Sequence, residues 1–273
     1  MRVVYDNTAD LAVLTASSSA GSLVANNLKT KYKAEVWRTT STTASLTLQW
    51  VGAKIAGCLA LVHSNMSSAG TIRIRCYTAA TDSSPAYDSG VQIAVPPSSL
   101  GTWAWGSLPL GINAYAYGGL SYIVKWFPQA PYEKIVVDLV DAANPSSYME
   151  FARLICGAYQ SFSTNPDWGI EIGYTDNSSQ YRNDGSDMLV DRGIMFKTMK
   201  FALSNMRESD KVLIQSLQRN NAKYRPLLIS IFPENTDTAL EQMYQIYATM
   251  NNLSALVAGD FNKYQTSIEL EEN

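Results

Sequence analysis

The chain carries a single histidine, His63. Any Ser-His-Asp or Cys-His machine must therefore use it. Its neighbours Ser64 and Asn65 open a run of small residues, "HSNMSSAG", without the Gly-x-Ser-x-Gly elbow that exposes a serine nucleophile. His63 is thus read as the corner of a turn, bonded to its own loop. Among carboxylates, Asp167 and Glu171 in "DWGIEIG" stand four apart. On a strand that rises about 3.3 Å per residue, their separation is about 13 Å. Glycoside hydrolysis wants about 5 to 9.5 Å between its two carboxyl groups. That pair fails, and only a pair drawn from different strands stays open. The "NDGSD" stretch, with Asp184 and Asp187, has the makings of a calcium loop or of an ordinary glycine turn, and the turn is preferred. Cys58, Cys76 and Cys156 lie in apolar surroundings with no CxxC spacing, which predicts buried free thiols. No zinc-ligand cluster and no glycine-rich phosphate cradle is in view. The expectation is a chain that is not an enzyme, with no catalytic residues, metal or cofactor.

The aromatic residues offer a different chemistry. In "GTWAWGSLPLGINAYAYGG", Trp103 and Trp105 alternate onto one face of a strand, and Tyr115 and Tyr117 do the same. Such rings stack on sugars, anchor protein interfaces or fill a core. With His63 and Asn65 they form the candidate set for contact with a glycan or a partner. Trp37 and Trp50, inside strand patterns, are assigned to the core.

What must position these residues is a series of short strands. "ASLTLQWV" places Leu46, Leu48 and Trp50 on one face at period two. "KIAGCLALV" is apolar on both faces, as a central strand is. "TIRIRCY" turns Ile72, Ile74 and Cys76 inward and Arg73 and Arg75 outward, and "HSNMSSAG" reads as the loop joining these last two as antiparallel partners. Eight or so strands over residues 1–160 fit a two-sheet jelly roll. Residues 161–185 read as a turn-rich connection. Residues 186–273 read as a second β unit with one flanking helix near 209–220, with Ser209 as its N-cap and Val212, Leu213 and Leu217 as its apolar stripe. "TALEQMYQIYATM" fits a helix with a capping box and also an alternating strand. The fold class is mainly all-β.

Bulk composition narrows the partners. Charged residues are only 16% against 46% hydrophobic, so part of the surface is expected to lie under partners. A net charge of −3 gives no basis for wrapping nucleic acid. No apolar run reaches 18 residues, and "MRVVYDNTAD" lacks the layout of a secretory signal. Synthesis and assembly in the cytoplasm, without membrane insertion, follow as expectations.

Two resemblances sharpen this reading. "VWRTT", "LTLQWVGAKIAGCLALVHSNMSSAGTIRIRCY", "YDSG" and "YEKIVVDLVDAANPSSYMEFARLICG" resemble a discoidin or carbohydrate-module jelly roll of the kind found in tail proteins of long-tailed bacteriophages. The order "GIMFKTMKFAL", "SDKVLIQSLQ", "PLLISIF", "TSIELEE" is similar to the ring-forming domain of phage tail-tube and distal tail proteins. The resemblance implies a structural virion protein: a homo-hexameric distal tail or baseplate ring that joins the tail tube to the tail-tip hub and docks neighbouring tail proteins, tail fibres being one candidate. The alternative is a glycan-binding adhesin module that contacts the host surface.

Overall fold

A computed structural model describes residues 1–95, 121–235, 237–260 and 263–273. Trp103, Trp105, Tyr115 and Tyr117 lie outside the described residues. The first strands are β1 (Arg2–Val4), β2 (Val13–Ala16), β3 (Trp37–Arg38), β4 (Thr43–Ser64), β5 (Thr71–Tyr77), β6 (Tyr87–Asp88) and β7 (Gln92–Ile93). β8 (Ser121–Val140), β9 (Glu150–Gly157), β10 (Gln160–Ser161), β11 (Glu171–Asp176), β12 (Ser179–Arg182), β13 (Met188–Asp191) and β14 (Met195–Met206) follow. The chain ends with α1 (Glu208–Asn221), β15 (Leu227–Ser230), α2 (Thr238–Met243), β16 (Gln245–Asn252), β17 (Val257–Asp260) and β18 (Lys263–Glu272). The described chain is mainly β, with a jelly-roll β-sandwich. It divides into two compact units. One comprises Asp6–Gln160 and Phe232–Gln245, and the other Met1–Tyr5, Ser161–Ile231 and Ile246–Asn273.

The first of these, the sandwich unit, has strand order β3-β9-β4-β8-β5-β6, with β2 also on β4 and β7 on β5. Two long strands, β4 and β8, organise it. Thr43–Gln49 pairs with Lys134–Val140, the register slips, and Lys54–Ser64 pairs with Ser121–Tyr132. "ASLTLQWV" and "KIAGCLALV" are therefore two halves of one strand, bent where Gly52 adopts φ +81, a conformation that glycine reaches without strain. The first half alternates, with Ala44, Leu46, Leu48 and Trp50 buried. The second is buried on both faces from Ala56 onward, as a central strand should be. One hydrophobic cluster takes residues from both halves, from β5, β8 and β9, and Trp37 from β3. Trp37 stacks on Phe151 with ring centroids 5.4 Å apart, and Trp50 is equally enclosed, so both tryptophans are core residues as expected. All three cysteines are buried and free. At Gly157 a Cβ would stand 2.4 Å from the backbone oxygen of Asp6, so this close approach excludes any side chain.

The expected hairpin of β4 and β5 is corrected by the ladder. β8 lies between them, because it pairs with β4 on one side and with β5 (Thr71↔Val140 to Tyr77↔Lys134) on the other. Sequence proximity had suggested a direct pairing, but β8, arriving later in the chain, outcompetes it by covering both partners.

The second sheet has strand order β10-β1-β15-β16-β18-β14-β11, with β17 on β18. The turn-rich stretch 161–185 contributes β11, which pairs with β14 over six residues, and β12, which pairs with β13. In α1 the N-cap position is Arg207, without a side-chain cap, and Ser209 lies inside the first turn. The buried stripe is Asp210, Ile214, Leu217 and Asn221, whereas Val212 is exposed. Asp210 explains the shift. Its carboxylate accepts the Ser163 N–H (3.0 Å), the Ser163 hydroxyl (2.7 Å) and the Thr164 N–H (3.1 Å), which turns this polar residue inward. "TALEQMYQIYATM" is both things the sequence allowed: α2 followed by β16.

Candidate functional site

Three segments meet at one end of the sandwich: residues 38–43, 64–70 and 141–149. Their anchor is Asp141, which is fully buried. Its carboxylate accepts the Ser67 N–H (2.7 Å), the Ser67 hydroxyl (2.6 Å) and the Asn144 amide (3.1 Å). Its own N–H donates to Thr42 O (2.8 Å). A buried carboxylate is tolerated only when its lone pairs are filled in this way. One side chain thereby ties all three segments together.

Asn65 adds a second tie. Its Oδ1 accepts the Glu150 N–H (2.8 Å), its Nδ2 donates to Tyr148 O (3.1 Å), and its carbonyl accepts the Asn144 amide (3.2 Å). The side chain thus extends the β9 ladder into the loop. His63 is buried, in a left-handed backbone conformation (φ 57), with its ring edge-on to Tyr122 at 5.3 Å. Of the two residues singled out from the sequence, His63 is not a loop corner but a buried residue near the end of β4, packed on Tyr122, and Asn65 positions its neighbours.

Those neighbours form a surface cluster that sequence reasoning missed. Arg38 of β3 lies opposite Glu150 of β9 in the ladder. Arg38 Nε donates to Glu150 Oε2 (2.7 Å), and Nη2 stands 2.7 Å from the same oxygen. The guanidinium carbon lies 4.4 Å from the centroid of the Tyr148 ring, a stacked cation–π contact. The hydrogen bond to Glu150 raises the Arg38 pKa further still, so its charge is permanent. Among the described residues, Arg38 Nη1, Glu150 Oε1 and the Tyr148 hydroxyl make no hydrogen bond. The cluster thus combines an aromatic ring, a spare planar donor and a spare acceptor on a scaffold fixed from beneath. Two further bonds fasten the 64–70 segment. Ala94 N–H donates to Gly70 O (2.8 Å), and the Ser121 hydroxyl donates to Ser64 O (3.0 Å).

Other candidates are occupied in holding the fold. Asp167 bonds to Ala202 O through its N–H and accepts the Ser204 hydroxyl, while Glu171 lies on β11 opposite Lys200. The Asp184–Asp187 turn is closed by Asn183, whose Oδ1 accepts the Asp187 N–H (2.9 Å) and whose Nδ2 donates to the Asp187 carboxylate (3.3 Å). Among the described residues, no group of three or more His, Cys, Asp or Glu could hold a metal ion.

No protein-family model and no curated protein matches the chain. Similar solved structures include jelly-roll carbohydrate-binding modules and, over 27% of its length, a Ruminococcus gnavus GH29 fucosidase at 6% identity and TM-score 0.39. One is a chitosan-binding module from a Paenibacillus chitosanase/glucanase, at 11% identity and TM-score 0.39, over 56% of this chain and 99% of that one. A carbohydrate-binding module from Clostridium perfringens, in complex with GalNAc-β-1,3-galactose, is similar at 10% identity and TM-score 0.37, over 55% and 97%. A fucose-binding module from Streptococcus pneumoniae gives 10% and 0.37, over 56% and 95%.

Proposed function

We propose that the chain is a non-catalytic glycan-recognising module whose ligand rests on the Arg38–Tyr148–Glu150 surface. The observation that supports this reading is that cluster itself. Sugars are bound by an apolar ring face with a few fixed polar groups around it, and here both are held by a buried carboxylate and a ladder-extending asparagine. The test is retention of the chain on immobilised polysaccharides. Arg38→Ala and Tyr148→Ala should each weaken retention by about tenfold, the scale of a lost anchor of about 1.4 kcal/mol. Unchanged retention in both variants removes this surface from the reading.

A second reading, a structural subunit of a phage tail ring, is favoured by a different observation. All eight residues of β12 and β13 are exposed, including Tyr181, Met188, Leu189 and Val190. An isolated two-stranded ladder is marginal in water, and an apolar surface of this kind suits an interface. In this reading the protein belongs to the virion tail, where it assembles with copies of itself and contacts the tail tube and the tail-tip hub. The measurement is mass in solution by analytical ultracentrifugation. A hexamer supports the ring, and a monomer at high concentration speaks against it.

A further inference from the structure

We infer that the Arg38–Tyr148–Glu150 surface selects an uncharged sugar with two adjacent hydroxyls. This inference rests on the glycan-recognising reading and adds the class of ligand. Arg38 and Glu150 sit in one ion pair, so the cluster's two formal charges cancel within it. The pairing uses Nε and Nη2 of the guanidinium and only Oε2 of the carboxylate. What remains for a ligand is one cationic donor at Nη1 and one anionic acceptor at Oε1.

A hydroxyl group both donates and accepts. Two neighbouring hydroxyls on a pyranose match this remainder: one accepts from Arg38 Nη1 and the next donates to Glu150 Oε1. Both bonds are charge-assisted, and neither requires the ion pair to break. One face of the Tyr148 ring carries the Arg38 guanidinium, so the sugar's C–H face is matched to the opposite face, and the free Tyr148 hydroxyl serves a third oxygen.

Charged sugars meet a penalty here. A uronate that approaches Arg38 also faces the Glu150 carboxylate, and a protonated amino sugar that approaches Glu150 faces the guanidinium. At a few ångströms, like charges near a protein surface repel strongly enough to offset the attraction.

The experiment measures dissociation constants of the full chain for three sets of soluble polysaccharides. These are neutral galactan, mannan, glucan and xylan; anionic polygalacturonate; and cationic chitosan. The expected result is binding to at least one neutral polymer at least about tenfold tighter than to either charged one. Glu150→Gln keeps the shape and removes one charge, and it should shift the neutral-to-uronate ratio at least about tenfold toward the uronate. Thermal unfolding of each variant checks that the fold is retained. Tightest binding to a charged polymer, or a ratio unmoved by Glu150→Gln, overturns the inference while leaving glycan recognition in place. Binding that survives both Arg38→Ala and Tyr148→Ala also overturns it, by placing the contact elsewhere. If no polymer binds, the functional reading falls, and the inference with it.

Discussion

Asp141 holds Ser67 twice over, accepting its N–H at 2.7 Å and its hydroxyl at 2.6 Å. Asp141→Ala strands both Ser67 donors in a buried place and leaves the Asn144 amide only its bond to Asn65 O. Leaving a buried group unpaired costs about 1–3 kcal/mol. We expect the sandwich unit to lose about 3 kcal/mol in urea unfolding, with Asp141→Asn between the variant and the parent. A change within about 0.5 kcal/mol would show that water or loop relaxation satisfies these groups instead.

Lys197 points into the second unit beside Met199 and Phe201, and burial lowers its pKa to about 8, with Glu272 opposing the shift. The unfolded value is about 10.4. Between those values the unfolded chain binds more protons than the folded one, so stability rises with pH across this window. Below pH 8 the charged form imposes a constant penalty, on the order of 3 kcal/mol from a shift of this size. Lys197→Met should therefore stabilise the unit at pH 7, with the gain shrinking toward pH 10. A gain independent of pH across that range would exclude this lysine as its source.

The thiols give a simpler test. Burial raises the pKa of Cys76 to about 12 and that of Cys156 further. The thiolate is the reactive form, so native protein should consume almost no aromatic disulfide reagent, and all three thiols should react once it unfolds. Rapid labelling of the native chain would contradict their enclosure.

Tyr181 and Leu189 are direct partners across the β12–β13 ladder, and both are exposed. Tyr181→Lys with Leu189→Glu replaces an apolar pair with an ionic one and should leave stability within about 0.5 kcal/mol. If the ladder is an interface, the same change abolishes self-association in ultracentrifugation. If association persists, copies meet through another surface.

Period-two patterns marked the strands correctly wherever one face was core: Leu46 and Leu48, Ile72 and Ile74, Ile268 and Leu270 are buried as their spacing required. The neighbours in each sheet were not legible. β8 separates β4 from β5 because long-range ladders answer to the whole chain, not to the nearest loop. Polar residues hid the rest. Asp210 suggested a helix-dipole contact and instead caps the 163–164 turn. Arg38 and Glu150 lie 112 positions apart and become neighbours only through the pairing of β3 with β9. Both sat inside the segments that carried the jelly-roll resemblance, "VWRTT" and "SSYMEF", so the signal was present without its geometry.

Each unit borrows a piece from beyond the other's sequence. Met1–Tyr5 belongs with residues made after Gln160, and Asp6–Gln160 is completed by Phe232–Gln245. β1 pairs with β15 across more than two hundred residues, from Arg2 to Ser230. On the ribosome neither unit is whole until most of the chain has emerged: the opening strand meets β10 only after 160 residues and β15 only after more than two hundred. Cutting the gene near codon 160 would not yield two tidy halves: each fragment would carry an open edge that only the other could close.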